Sequence, residues 1–77
     1  MARIEQMEQR DVGSGKVHGP VVGGYQWFKV GGATIFQLDT YGSLERKELG
    51  KVSQSLQLDL DGARRLVSVL KQAFPEL

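Results

Sequence analysis

The stretch GKVSQSLQLDLDGARRLVSVLKQAF, residues 50–74, decides the fold. Val52, Gln54, Leu56 and Leu58 alternate with Ser53, Ser55 and Gln57. That two-residue period belongs to a strand with one largely apolar face and one hydroxyl and amide face. Asp59 stands where a helix N-cap is wanted, and Asp61 falls in the first turn, where a carboxylate favours the helix dipole. Gly62 weakens that turn without forbidding it. Ala63, Leu66, Val67, Leu70 and Phe74 follow at helical spacing as one stripe, while Arg64, Arg65, Ser68, Lys71 and Gln72 take the remainder. Pro75 stops the helix. One strand therefore runs straight into one amphipathic helix.

Upstream, the chain is rich in strand signals. Tyr25 to Val30 and Ala33 to Tyr41 are aromatic and β-branched, and Gly31-Gly32 between them predicts a two-residue hairpin, because glycine accepts the positive φ of a primed turn. Val17 to Val22 is also β-prone, but Gly19 and Pro20 confine it to an edge or a bulge, and Gly23 and Gly24 punctuate the chain after it. Gly42 to Gly50 is charged and poorly periodic and reads as an exposed loop. Ile4 and Met7 would make one apolar edge of a short helix, yet Gly13, Ser14 and Gly15 end any regular pattern, so residues 1–16 read as a flexible N-terminal tail. The predicted fold is α+β: a single domain over residues 17–77, a four-stranded antiparallel sheet followed by one C-terminal helix in the order β-β-β-β-α.

Hairpin register decides which side chains share a face. A loop of Gly31 and Gly32 alone pairs Val30 with Ala33 and puts Tyr25, Trp27, Phe36 and Leu38 on one side, with Phe28, Val30 and Ile35 on the other. A three-residue loop changes the parity: Phe28, Val30, Phe36 and Leu38 then face the helix, and Tyr25, Trp27, Lys29, Ile35, Gln37 and Tyr41 face away. In both registers large apolar groups remain on the face that a single helix leaves open, which marks an interface or a ligand surface.

Composition narrows the classes. A chain of 77 residues buries a modest fraction of its surface, with only a few kcal/mol of stability to spare. There is no cysteine, and the lone His18 cannot build a metal site, so neither disulfides nor zinc supply the deficit. Oligomerisation, as a homodimer, is the expected supplement. Met1 to Arg10 has no apolar core and no stretch approaches the roughly 20 apolar residues that span a bilayer, so no membrane partner and a cytoplasmic location are expected. The net charge of +1 exerts little global pull on a polyanion, so any nucleic-acid contact must come from local clustering.

Catalytic motifs fail on inspection. GSGK, residues 13–16, lacks the phosphate loop's earlier glycine, which is Arg10 here, and its following hydroxyl, which is Val17. Asp59, Asp61 and Gly62 lack the spacing and distal glutamate of a calcium loop, and helix capping explains them. Ser43, Ser53 and Ser55 have no base to activate them. No second acid is placed to meet Asp39, which is free to pair with Lys29 or a loop base. No enzyme activity, cofactor or small-molecule substrate is expected.

The strand-loop-strand-helix stretch from about Tyr25 to Phe74 resembles the transcriptional positive cofactor four family, including its small bacterial members. The segment LQLDLDGARRLVSVL carries the match. Leu56 and Leu58 look like the close of that family's fourth strand, Asp59 like its polar helix cap, and Ala63, Leu66 and Leu70 fall on the spacing of its helix core. FQLD, Phe36 to Asp39, followed by a charged loop, also fits. The resemblance implies a β-β-β-β-α homodimer that binds single-stranded nucleic acid or melted duplex on its sheets, in transcription or other DNA transactions. The chain departs from the family in having Lys51 nearly alone before the last strand and Ala63 where a larger residue is usual.

The resulting expectation is a single-stranded nucleic-acid binder, with DNA the expected ligand. Tyr25, Trp27 and Tyr41 would stack on bases, Lys29, Arg46, Lys47 and Lys51 would meet phosphate, and Ser53, Ser55 and Gln57 would add polar contacts. The competing expectation is a protein-interaction module or small subunit with no nucleic-acid role.

Overall fold

The computed structural model describes residues 1–11, 13–43 and 51–77. Its elements are β1 (Ala2–Arg3), β2 (Val21–Val30), β3 (Ala33–Ser43), β4 (Val52–Leu58) and α1 (Leu60–Ala73). The sheet order is β1-β4-β3-β2.

The hairpin and the final strand-helix unit follow the sequence reading. Gly31 and Gly32 take φ of 56° and 83°, the primed turn that matches strand twist, and Val30 pairs with Ala33. Among the two registers, the two-residue loop is the one that forms. Asp59 caps α1: its Oδ1 accepts from the Gly62 backbone N–H at 2.9 Å, an arrangement of the kind typically worth about 1 kcal/mol. Phe74 closes the helix, its N–H donating to the Leu70 carbonyl at 2.8 Å, and Pro75 follows.

The all-antiparallel sheet does not form. β2 and β3 pair antiparallel, as do β3 and β4, but β1 lies parallel to β4, with Ala2 opposite Leu56 and Arg3 opposite Gln57. Val17 to Val22 is not a strand of its own. Pro20, which has no N–H to give a ladder, precedes the strand, and Val21 and Val22 open β2. The outer edge of β4 is instead filled from the N-terminal segment, and the Ile4 N–H donates to the Gln57 carbonyl at 3.0 Å. Gly23 and Gly24 lie inside β2 rather than ending it.

Alternation now assigns the faces. Tyr25, Trp27, Phe36, Leu38, Leu56 and Leu58 share one; Gln26, Phe28, Ile35, Gln37, Asp39, Ser55 and Gln57 share the other. The helix sits on the first. Leu58 is 5% exposed and is the one buried apolar side chain among the described residues. A Cβ placed on the buried Gly62 would stand 3.3 Å from Leu58 Cδ2 and 3.0 Å from the Ile4 carbonyl oxygen. Glycine in the first turn is thus a matter of close approach: Ile4, just after β1, meets β4 and α1 there, and any side chain would force its neighbours to give by a few tenths of an ångström.

The predicted helix stripe divides in two. Ala63 and Leu66 are partly covered, as is Val69 from outside the stripe, whereas Val67, Leu70 and Phe74 are exposed. Met7 is half-buried and, with Val69 and Ala73, lines a hollow of about 250 Å³, so the N-terminal segment runs along the covered side of α1. α1 touches β3 and β4 and does not reach β2.

Candidate nucleic-acid interface

The face turned away from the helix carries a connected polar ladder across β3 and β4. Gln57 Nε2 donates to Gln37 Oε1 at 2.9 Å, and Gln37 Nε2 donates to Asp39 Oδ1 at 2.9 Å. Ser55 Oγ donates to the same Asp39 oxygen at 2.6 Å. Asp39 is 6% exposed, the one buried charged side chain among the described residues, and its burial is tolerated because two donors converge on one oxygen. The partner is not Lys29, whose position on β2 puts it on the opposite face. Register produces the ladder: Gln37 faces Gln57, and Asp39 faces Ser55, as direct cross-strand pairs.

Two rings and one cation flank these amides. Phe28 lies on this face beside Ile35, and Tyr41 lies over Gly24. A Cβ on Gly24 would stand 2.7 Å from the Tyr41 hydroxyl and 3.2 Å from two ring carbons, so glycine there makes the bed for the ring. Arg3 enters through β1, opposite Gln57, and holds Glu5 at 2.8 Å with both side chains exposed. Arg3, Gln37, Ser55 and Gln57, with Met1, Ala2 and Val52, line an open hollow of about 400 Å³.

The residues expected to bind nucleic acid are therefore split. Tyr41, Ser55 and Gln57 come together on the open face with Gln37. Tyr25, Trp27 and Lys29 lie on the helix-bearing face. There Tyr25 and Trp27 are 70% and 65% exposed, and Tyr25 stacks on Trp27 and on Phe36 with centroids 6.3 Å and 6.4 Å apart. Ser53 sits at an irregularity where the β3–β4 register shifts, and Lys51 is exposed just before β4. Arg46 and Lys47 lie outside the described residues. Arg3 and Phe28 were not among the expected contacts. A two-residue strand is too short to show periodicity, and Phe28 is placed only once the hairpin register is known.

Gly24 offers a direct check on this face. Gly24→Ala should push the Tyr41 ring aside and lower the melting temperature, whereas Gly23→Ala, whose Cβ would meet only the Asp39 carbonyl oxygen at 3.5 Å, should hold or raise it. Equal melting of the two variants by circular dichroism would show that the Tyr41 contact carries no weight.

Among the described residues no group of three or more His, Asp or Glu side chains could hold a metal ion. No described helix is long and apolar enough to cross a membrane. No family model matches the chain, and neither a curated protein nor a solved structure matches it significantly.

Proposed function

We propose that the protein is a homodimer that binds single-stranded nucleic acid on the open face of its sheet. The observation that carries the reading is the Gln57–Gln37–Asp39–Ser55 ladder on the face without a helix, its amides and Ser55 half-buried around the buried Asp39, between Phe28, Tyr41 and Arg3. Amides and hydroxyls present donors and acceptors to base edges, rings offer stacking surfaces worth about 1–3 kcal/mol per base, and Arg3 reaches phosphate. Lys51 supplies a second cation at the start of β4, and Arg46 and Lys47 stand in the segment before it. The resemblance to the transcriptional positive cofactor four family supports the same reading and extends it to DNA and transcription.

Anisotropy of a labelled mixed-sequence oligonucleotide at two salt concentrations tests it. The expected result is binding that weakens steeply as salt rises, and Arg3→Ala should flatten the log–log salt slope by about 0.7, the share of one phosphate contact on a single strand. No rise in anisotropy at low salt would remove the reading. A protein-interaction module is the second reading, and the exposed Tyr25–Trp27 pair favours it. Apolar docking of that kind changes little with salt.

A further inference from the structure

The surface of the single chain is too large for its mass. It exposes 6976 Å², while a folded monomer of 8.5 kDa exposes about 4,650 Å² by size scaling, so roughly 2,300 Å² is in excess. The radius of gyration agrees: 14.6 Å against about 11.5 Å for a compact chain of this length. Part of the excess belongs to the exposed residues 13–20. The share a partner can cover lies at the exposed apolar side chains Tyr25, Trp27, Leu38, Val67, Leu70 and Phe74, where a standard interface takes roughly 800 Å² from each partner. Among the described residues one buried apolar side chain, Leu58, is too little to hold a sheet and a helix together against the entropy of ordering them.

The missing cover has a definite shape. Four strands about 4.8 Å apart make a face wider than the roughly 10 Å that one helix spans. α1 occupies the β3–β4 part and leaves Tyr25, Trp27 and Leu38 open beside it. The same chain carries an unburied apolar helix side at Val67, Leu70 and Phe74. Patch and cover thus occur once each per chain, as a two-fold interface requires.

We propose that a second copy of this chain docks on the helix-bearing face, laying Val67, Leu70 and Phe74 of its helix over Tyr25, Trp27 and Leu38, with the reciprocal contact made about a two-fold axis. The inference rests on the homodimer half of the reading above and is independent of nucleic acid, which uses the opposite face. Each sheet then receives two helices, one from each copy.

Trp27 is the only tryptophan and reports directly on the contact. The intact chain should sediment at twice 8.5 kDa in the micromolar range, with blue-shifted emission and slow acrylamide quenching that both relax toward free tryptophan as dilution dissociates the dimer. Phe74→Glu should shift the dissociation midpoint at least tenfold upward in concentration; a variant that fails to fold at all concentrations leaves the wild-type measurements to decide. A wild-type chain that is monomeric and melts cooperatively overturns both this interface and the homodimer. A dimer in which Trp27 is quenched as fast as free tryptophan overturns the interface alone and points to pairing along the β2 edge.

Discussion

Leu58→Ala is expected to abolish cooperative folding at room temperature. The side chain is the one buried apolar group among the described residues, at the point where β4 runs into the Asp59 cap and α1 lies closest to the sheet. Truncating a buried leucine costs about 2–5 kcal/mol, and a domain of this size has only a few kcal/mol in all. Circular dichroism should show no sigmoidal melt for the variant and a clear one for the parent. Leu56→Ala, one pair further along the same face and less deeply covered, should lower the midpoint and keep the transition. A Leu58→Ala midpoint within a few degrees of the parent would mean that the apolar centre lies elsewhere in the folded form.

Asp39→Ala is the second large effect. It removes the acceptor for both Gln37 Nε2 and Ser55 Oγ, and stranded donors at a covered position cost about 1–3 kcal/mol. Asp39→Asn separates stability from charge, since its carbonyl oxygen can still take both bonds. The expected result is a stability close to the parent for asparagine and a clear loss for alanine, measured by urea unfolding. Oligonucleotide affinity should move the other way. Removing a carboxylate from the proposed binding face should raise it severalfold in the asparagine variant, and a fall instead would mean that Asp39 accepts contacts from the bases themselves.

Where local chemistry dictates backbone geometry, the sequence was sufficient. Gly31-Gly32 requires the primed turn and adopts it, and Asp59 caps the helix that the Ala63–Leu66–Leu70 spacing predicts. The strand read from Val52 to Leu58 returns as β4 with those bounds, but its alternation holds only from Gln54 to Leu58, because the register shifts at Ser53. What depended on distant pairing was not legible. Nothing in Ala2-Arg3 announces a strand, because two residues have no period and their partners stand at Leu56 and Gln57. Gly62 reads as a weak spot in the helix until the Ile4 carbonyl is seen against it. The candidate site suffered in the same way. Tyr25, Trp27 and Lys29 group with Tyr41, Ser55 and Gln57 only if the hairpin slips by one residue, and the turn that forms divides them between the two faces.

The parallel pairing of β1 with β4 also sets an order of assembly. Hairpin and helix contacts join near neighbours and form quickly, but Ala2 meets Leu56 only after nearly all the intervening chain has been made. During synthesis Ala2 and Arg3 therefore wait unpaired until β4 emerges, and the outer edge of β4 is a template for any extended segment nearby until they close it. A bulky tag fused just ahead of Ala2 would land at that seam, and its cost would appear as slower folding and aggregation during expression before it appeared in the melting temperature of the finished protein.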